Sequence, residues 1–436
     1  MTEYLEFLNS QFLNLPTDTR SACGGTPETL VTNLTVNSLL LPLTGLIPMK
    51  IIFYCQYVWG MGHLFRSVEL VRALCDHQVI LVAGGQDVDM DWPAHAEILR
   101  LPTLYMDEKF TTLIAGDSKH SLEDIQLRRK EMLFNLFETQ RPDVFVVELY
   151  PFGRSAFGIE LEPLLDSIRK GTFGNVKSVC SLRDILVEKK DPRTYEKRVI
   201  RSLGRHFDLL WVHSDEKLLP LDQTFSHVKE IPIPLYYSGF ITQQGHAQNG
   251  EKLRRELEIG AHEKLIVASA GGGRSGYDPL KRVLQACDRL GDRLAIRLEV
   301  FTGPFMDPEE FKDLCTLSRP GIRIRRFTQR FLNYLFAADL SFSLAGYNTC
   351  MNLLVTRVPA LVYPYHRQRE QPLRVEKLKD LLPMRILDDR DLEPTILSNH
   401  IEQMLLNPPA FESVNVNING AGNAARYLEE WAPKNA

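Results

Sequence analysis

From residue 49 onward the sequence alternates short apolar runs with segments of helical periodicity, and this alternation limits the chain to a few architectures. The runs are rich in β-branched and aromatic residues, as in KIIFYC at 50–55, and helical spacing such as Leu64, Val68 and Val71 lies between them. Strands that alternate with helices predict a parallel sheet covered by helices on both faces. The predicted strands are 50–55, 78–84, 143–149, 176–182, 208–214, 264–270, 295–303, 322–327, 339–344 and 359–364.

The alternation restarts after a polar, glycine-containing stretch at 239–252, which we interpret as a linker. We therefore predict an α/β fold with two domains, at 49–238 and 239–436, that face each other across a cleft. Residues 1–48 are predicted to be an N-terminal appendage, because the globular pattern begins only at MKIIFYC. Ligands of such folds bind at the carboxyl ends of the strands, so the turns after strands are the places to search for a site.

Composition excludes several classes of protein. Hydrophobic residues make up 44% of the 436 residues and charged residues 24%, as in ordinary globular proteins. The net charge of -4 gives no electrostatic reason to expect nucleic acid, and the seven scattered cysteines form no CxxC pair that would suggest a zinc site. No apolar run approaches the roughly 18 residues that cross a membrane, and the apolar stretch 38–49 lacks the basic region of a signal peptide. We expect a cytoplasmic protein with reduced thiols.

The stretch YCQYVWGMGHLFRSVELVRAL, residues 54–74, places a glycine turn between the first predicted strand and a helix. Gly60 and Gly62 allow close approach of a ligand to the backbone, and the helix N-terminus presents unpaired N–H groups. An anionic or polar ligand is therefore predicted here. His63 is placed to accept a proton from a hydroxyl group or to steady a developing charge; the alternative is a histidine that caps the helix or packs in the core.

A second glycine turn, SAGGGRSGYDPL, also follows a predicted strand and precedes a helix. Gly271, Gly273 and Gly276 satisfy the pattern GxGxxG, but the next strand ends EVFTGP, without the acidic residue that would hold a ribose in a nicotinamide site. The turn therefore suits a phosphate better than a dinucleotide, which argues against an oxidoreductase. Arg274 and Ser275 are candidate donors to phosphate oxygens.

A third turn runs from a predicted strand through Gly346 into a helix that is predicted to begin near Asn348 or Thr349. Its N-terminus points at the cleft, with hydroxyl and amide side chains beside it. After the buried strand 359–364 comes a polar loop that contains His366, Arg367, Arg369, Glu370 and Gln371.

These motifs resemble a known family. The string GYNTCMNLL...RVPALVYPY......EQ...R resembles the donor-site signature of the family 28 glycosyltransferases, the group that contains the UDP-GlcNAc transferase of peptidoglycan synthesis, and GMGHLFRSVELVRAL resembles the family's first turn. With VVELYPFGR (146–154) and SLRDILVE (181–188), the chain is most similar to a bacterial branch of predicted glycosyltransferases. The resemblance spans residues 49 to about 430. It implies a GT-B fold with two Rossmann-like domains, the acceptor in the first, the nucleotide-sugar in the second and no metal ion. The C-terminal helix is expected to pack back on the first domain.

Carried over by position, the resemblance implies a donor site in the second domain. The turn at 346–349 would place the diphosphate on the helix N-terminus, Glu370 and Gln371 would contact the donor sugar, and 271–275 would line the nucleotide side. Where family members commonly have a glutamate that binds the ribose diol, this chain has Asn352, a neutral contact weaker by ~1 kcal/mol. UDP is therefore favoured rather than established. The implied donor-binding residues are Gly271, Gly272, Gly273, Arg274, Ser275, Gly346, Tyr347, Asn348, Thr349, Asn352, Glu370 and Gln371.

Displacement with inversion needs a base that deprotonates the acceptor hydroxyl, and two residues are candidates. His63 is one, and Glu148 is the other, because it ends a predicted strand where its carboxylate is free to face a substrate; the alternative for Glu148 is a solvated or salt-bridged acid. Arg154 and the adjacent pair Arg183 and Asp184 are further candidates in the cleft, with a structural ion pair as the alternative; Arg154 and Arg183 are expected on the acceptor side. Helix dipoles and arginines are expected to offset the charge of the leaving phosphate without a metal ion.

The predicted function is that of an inverting, metal-independent glycosyltransferase of the hexosyltransferase type, which moves a sugar from a nucleotide-sugar to a hydroxyl acceptor, either a small molecule or lipid-linked. Two alternatives remain, a nucleotide-sugar epimerase or hydrolase with the same fold and a noncatalytic GT-B-like partner subunit. Apolar residues around the first turn suit either peripheral contact with the inner face of the membrane or core packing; they are Val58, Trp59, Met61, Leu64 and Phe65.

Overall fold

The structure is a computed structural model, and it describes residues 47–58, 62–88, 90–106, 112–116, 119–291, 293–365, 369–411 and 415–433. Almost all of the predicted appendage at 1–48 lies outside the described residues. From Pro48 to Ala436 the chain forms one compact unit.

Within the described residues, the first half of the chain forms a seven-stranded parallel sheet. Its strands are β1 (Lys50–Cys55), β2 (Gln78–Ala83), β3 (Ala96–Arg100), β6 (Val144–Glu148), β7 (Lys177–Arg183), β8 (Leu209–His213) and β9 (Leu235–Tyr237), and β4 (Leu104–Met106) and β5 (Leu113–Ala115) form a separate antiparallel pair. The strand order is β3-β2-β1-β6-β7-β8-β9. In β1, Ile51 and Phe53 pack in one core layer and Ile52 and Tyr54 in the other, which explains why this strand is apolar on both faces.

The second half repeats this arrangement with a six-stranded parallel sheet in the described chain. The strands are β10 (Lys264–Ser269), β11 (Ile296–Phe301), β12 (Ile322–Arg325), β13 (Leu340–Leu344), β14 (Ala360–Tyr363) and β15 (Met384–Ile386). Their order is β12-β11-β10-β13-β14-β15, and every neighbouring pair is parallel.

Helices connect the strands, and several begin at recognisable sequence signals. Ser121 and Asp124 form a capping box at one helix start, and other helices begin with a proline after a capping acid, as at Asp307. The helices are α1 (Gly62–Ala73), α2 (Leu122–Gln140), α3 (Gly158–Arg169), α4 (Pro192–His206), α5 (Ala247–Glu256), α6 (Tyr277–Leu290), α7 (Pro308–Cys315), α8 (Phe331–Ala337), α9 (Tyr347–Thr356), α10 (Glu370–Leu378), α11 (Pro394–Leu406) and α12 (Gly420–Trp431), with 3-10 turns at Ser155–Phe157, Leu221–Gln223 and Val228–Glu230. Among the described helices, none is long and apolar enough to cross a membrane.

The last helix, α12, packs on the first sheet rather than on the second. Ala424 and Leu428 are buried in the same core layer as Ile51, and the ring of Tyr427 stacks on Tyr236 with 3.8 Å between centroids. The chain therefore passes between the halves twice, once in each direction.

All ten predicted strands are present, with ends shifted by at most two residues. The structure adds β3, β9 and β15 at the sheet edges; β3 is partly exposed and the other two are only three residues long, so their apolar patterns are weak. The predicted linker at 239–252 is partly helical, because α5 begins at Ala247. The domain boundary at 238/239 stays a prediction.

The strand orders place the predicted turns at two equivalent positions. The direction of chain crossing reverses between β1 and β6 in the first sheet and between β10 and β13 in the second. Open parallel sheets bind ligands outside the carboxyl ends of the strands at such reversal points. The three glycine turns follow β1, β10 and β13, and Glu148 is the last residue of β6.

Candidate active site

A cavity of about 330 Å³ is lined by turns from both halves of the chain. A Cβ atom added to Gly62 would lie 3.9 Å from Nδ2 of Asn348, so the first and third turns approach each other across the cavity. The predicted site residues that line it are Gly62, His63, Arg183, Gly271, Gly272, Gly346, Tyr347, Asn348, Thr349, Asn352 and Glu370.

His63 is held in the wall of this cavity by Glu148. Nδ1 of His63 lies 2.7 Å from Oε1 of Glu148 and 3.1 Å from Nη2 of Arg66. A neutral imidazole nitrogen either donates or accepts, and a carboxylate only accepts, so we assign the proton to Nδ1, where it is donated to Glu148. This assignment leaves Nε2 as the basic nitrogen of a side chain that is 15% exposed.

Burial keeps the imidazole of His63 neutral. Burial lowers the pKa of His63 to about 4, although the Glu148 carboxylate opposes this shift. Burial by itself would raise the pKa of Glu148, but His63, Arg66 and Arg154 outweigh it and lower that pKa to about 2. At neutral pH an uncharged imidazole therefore lies beside an ionised carboxylate, which is the protonation state that a general base requires.

The expectation that the Glu148 carboxylate faces a substrate is wrong. Its side chain is fully buried, and Oε1 accepts hydrogen bonds from His63 and Arg66. Glu148 is thus placed to orient His63. Arg66 was not predicted, although its position three residues after His63 puts both side chains on the same face of α1.

Other predicted residues of the first half lie in different places. Arg154 is not among the described residues that line the cavity. Burial lowers the pKa of Arg154 and the carboxylate of Glu148 raises it, so Arg154 lies near that carboxylate. Gly60, with Trp59 and Met61, lies outside the described residues. Leu64 is buried in the core, and the ring of Phe65 lies 6.3 Å from that of Phe327. Core packing therefore accounts for Leu64, whereas Phe65 and Phe327 both line the cavity.

The second turn is built by glycines that the backbone requires. Gly273 has a φ of 103°, and a Cβ atom there would lie 2.6 Å from the carbonyl oxygen of Thr302, so the turn can approach the loop after β11 only with glycine at this position. Gly271 and Gly272 line the cavity, whereas Arg274 and Ser275 are exposed and are not among its described lining residues. The cavity is thus bordered by the backbone of this turn.

The third turn leaves open space at the N-terminus of α9. Gly346 has ordinary backbone angles, φ -63° and ψ 153°, and a Cβ atom there would meet only Oγ1 of Thr349, at 4.0 Å. The fold therefore does not require glycine at 346. Tyr347 is buried, and its hydroxyl accepts a hydrogen bond from the N–H of Ile241 at 3.0 Å, so the hydroxyl already has a structural partner.

The predicted donor-sugar pair, Glu370 and Gln371, lies at the start of α10. Glu370 lines the cavity, and its Oε1 pairs with Arg183 of the first half. Gln371 is not a described lining residue; its side-chain oxygen accepts hydrogen bonds from the N–H groups of Ala345 at 3.2 Å and Tyr365 at 2.9 Å. Gln371 therefore holds the segment that precedes Gly346.

The second half of the chain is similar to a known protein family. Residues 271–426 match the glycosyltransferase family 28 C-terminal domain. The UDP-N-acetylglucosamine--N-acetylmuramyl-(pentapeptide) pyrophosphoryl-undecaprenol N-acetylglucosamine transferase of Haemophilus influenzae (strain 86-028NP) is 25% identical over 143 residues, which are 33% of this chain and 40% of the relative. This chain therefore matches less than half the length of that curated relative.

Solved structures match over most of the chain at low sequence identity. The calicheamicin glycosyltransferase CalG4 has a TM-score of 0.51 and 15% identity, over 88% of this chain and 95% of that one. MurG of Acinetobacter baumannii has a TM-score of 0.50 and 13% identity, over 89% and 100%. These matches show that the chain has a GT-B fold, and residues 271–426 are similar to the C-terminal domain of glycosyltransferase family 28.

Proposed function

We propose that the chain is an inverting, metal-independent glycosyltransferase that moves a sugar from a UDP-linked donor to a hydroxyl acceptor. The observation that carries this proposal is the position of His63: its Nδ1 lies 2.7 Å from Oε1 of Glu148, in the wall of the cavity that also contains the N-terminus of α9. A base and a helix N-terminus on facing sides of one cavity supply what displacement of a phosphate leaving group needs.

In the proposed reaction, Nε2 of His63 takes the proton of the acceptor hydroxyl while the hydroxyl oxygen attacks the anomeric carbon. The bond from that carbon to the β-phosphate oxygen breaks, and attack from the opposite side inverts the configuration. Glu148 keeps the Nδ1 proton in place and stabilises the imidazolium ion that forms. The N–H groups at the start of α9 offset the charge that develops on the diphosphate.

UDP is proposed as the nucleotide because the curated relative is named for UDP-N-acetylglucosamine. Asn352, the position implied to contact the ribose, lines the cavity, and this contact suits the ribose of any nucleotide. The acceptor is proposed as a small or lipid-linked hydroxyl compound, since the same relative is named for a pyrophosphoryl-undecaprenol acceptor.

Binding and turnover assays test the proposal directly. We expect a UDP-sugar, with UDP-N-acetylglucosamine as the first probe, to bind by calorimetry and to release UDP only when a hydroxyl acceptor is present; NMR of the product should show the inverted anomeric configuration. Release of UDP without acceptor would identify a hydrolase, and a changed sugar on intact nucleotide would identify an epimerase. A folded chain that binds no nucleotide-sugar would be a noncatalytic subunit.

The pH dependence of turnover should reflect the lowered pKa of His63. Only the neutral imidazole acts as a base, so kcat/KM is expected to persist as the pH falls through 6.5 and to decline as it falls through about 4. The measurement is a kcat/KM profile between pH 3.5 and 8, which must be restricted to conditions in which circular dichroism shows a folded chain. A decline centred near pH 6.5, the ordinary value for histidine, would contradict the assigned environment.

Activity is expected to persist in excess EDTA. The proposed compensation of phosphate charge comes from the α9 N-terminus and from arginines, and among the described residues no group of three or more His, Cys, Asp or Glu side chains is arranged to hold a metal ion. Turnover should therefore be equal with and without chelator. Loss of turnover in EDTA with recovery on adding Mn²⁺ would show that a metal is required.

A further inference from the structure

Two ion pairs join the halves of the chain beside the cavity. We call Arg183 and Glu370 the front pair, because both line the cavity, with side chains 13% and 12% exposed. We call Asp184 and Arg374 the back pair, because their side chains are only 0% and 1% exposed. In each pair the first residue belongs to the first half, at or after the end of β7, and the second belongs to α10.

The back pair has the geometry of a strong interaction. Nε of Arg374 donates to Oδ2 of Asp184 at 2.7 Å, and Nη2 donates to Oδ1 at 3.0 Å. Two parallel hydrogen bonds between a guanidinium and a carboxylate fix orientation as well as distance. Burial by itself would raise the pKa of Asp184, but Arg374 outweighs it and lowers that pKa, so the pair is ionised.

Arg374 also holds two parts of the donor side. Its Nη2 donates to Oε1 of Glu370 at 2.9 Å, and its Nη1 donates to the carbonyl oxygen of Ala345 at 3.1 Å. The N–H of Ala345 is bound by Gln371. Ala345 immediately precedes Gly346, so two side chains of α10 clamp the residue that sets the start of α9.

The same guanidinium connects to the base side of the cavity. Arg374 lies over the ring of Tyr347 at 5.6 Å, and Arg66 lies over the same ring at 5.3 Å. Arg66 in turn binds the carboxylate of Glu148. The ring of Tyr347 thus lies between Arg374 of the back pair and Arg66, and Arg66 binds Glu148, the carboxylate that holds His63.

We propose that Asp184 is a positioning residue for the nucleotide-sugar: through Arg374 it holds Glu370 and the 345–346 turn in place when the two halves meet. This rests on the proposed function of the cavity. A buried guanidinium that loses its carboxylate must find another partner. After Asp184, the acid that Arg374 contacts is Glu370, which also pairs with Arg183. Without Asp184, Arg374 is therefore expected to draw Glu370 away from the cavity and to release Ala345.

The test is Asp184→Asn, which keeps the shape of the side chain and removes its charge. We expect kcat/KM for the UDP-sugar to fall ~10²-fold, the usual cost of a misplacement of about 1 Å. The donor KM should rise, whereas the acceptor KM should change by less than twofold. Amide hydrogen exchange without ligand should become at least about tenfold faster in the segment 345–350, at the N–H groups of Ala345 and Cys350, which donate to Gln371 and to the carbonyl oxygen of Gly346. Unchanged exchange in this segment would overturn the proposal.

A matched control lies within the first half. Arg129 binds Glu160 through two buried hydrogen bonds, both of 2.7 Å, and neither residue lines the cavity. Glu160→Gln is expected to lower the melting temperature, as loss of a buried ion pair does, but to leave the donor KM and the exchange in the segment 345–350 unchanged. An equal change of both in this control would show a general loosening of the fold and would overturn the specific role of Asp184.

A double variant separates positioning from stability. Asp184→Leu with Arg374→Met replaces the back pair by apolar side chains, and such replacements often restore stability. We expect the melting temperature to recover while kcat/KM for the donor stays low, because Glu370 and Ala345 have lost their hydrogen bonds to Arg374. Recovery of both would mean that the pair only stabilises the fold. If the natural chain binds no nucleotide-sugar, the proposed function fails, but the exchange data still decide whether Asp184 orders the turn.

Discussion

Replacing His63 by alanine is expected to lower kcat by roughly 10²-fold or more, the usual contribution of a positioned acid–base group. The donor KM and the affinity for nucleotide-sugar should stay nearly unchanged, because the proposed donor turns lie in the other half of the chain. Steady-state kinetics with a saturating acceptor, together with calorimetry of donor binding, measure both quantities. If His63 only caps α1, the same change should instead cost about 1 kcal/mol of stability and little turnover.

Glu148→Gln is the informative partner of this variant. The amide can donate to Nδ1 of His63 and so favour the wrong tautomer, which in a comparable dyad costs up to ~10⁴-fold in kcat. Both variants should therefore be impaired, and combining them should cost little more than the larger single effect, since the two residues act as a unit. A folded His63→Ala protein with near-normal kcat beside an inactive Glu148→Gln protein would assign the role of base to Glu148.

Gly346→Val is expected to fold normally and to lose roughly 10²-fold in nucleotide-sugar affinity. The ligand-free structure has room for the side chain, since the nearest atom to a Cβ at 346 is 4.0 Å away. A diphosphate at the start of α9 would be displaced, with loss of charge-assisted hydrogen bonds worth about 1.5–3 kcal/mol each. Calorimetric titration with a UDP-sugar measures the loss, and thermal unfolding verifies the fold.

Gly260→Val is the matched control for this variant. It lies in the same half but outside the described cavity lining, and a Cβ atom there would meet only Cβ of Glu263 at 3.9 Å. This variant should bind the donor as the natural chain does. Intact affinity in a folded Gly346→Val protein would show that the diphosphate does not bind at this turn.

Several parts of the site could be predicted from local sequence. The glycine turns stood out because each lies between an apolar run and a helical pattern, and His63 because it begins a helix next to a glycine. Glu370 was implied by family resemblance, and it does line the cavity. These inferences depend on neighbours within about ten residues, whose relation is set by the backbone of one strand, turn and helix.

Other parts could not be predicted, because they depend on residues that are far apart in the chain. Glu148 was expected to face a substrate, but β6 lies beside β1, which brings its carboxylate to His63, 85 residues away. The surroundings of Arg374 were missed altogether, because its partner Asp184 is 190 residues away in the other half. No spacing rule relates such residues: strand pairing within the first sheet brings Glu148 to His63, and the packing of one half on the other brings Asp184 to Arg374.

The sequence by itself thus determined the two parallel sheets, the glycine turns at their carboxyl ends and the identity of His63 as a candidate base, since apolar periodicity and glycine freedom are properties of short segments. The tertiary structure decided which side chains meet. Strand order places Glu148 beneath His63, and contact between the halves joins Arg183 to Glu370 and Asp184 to Arg374. Charged groups buried in this way must find partners, and the partners available to them are set by the fold rather than by the neighbouring sequence.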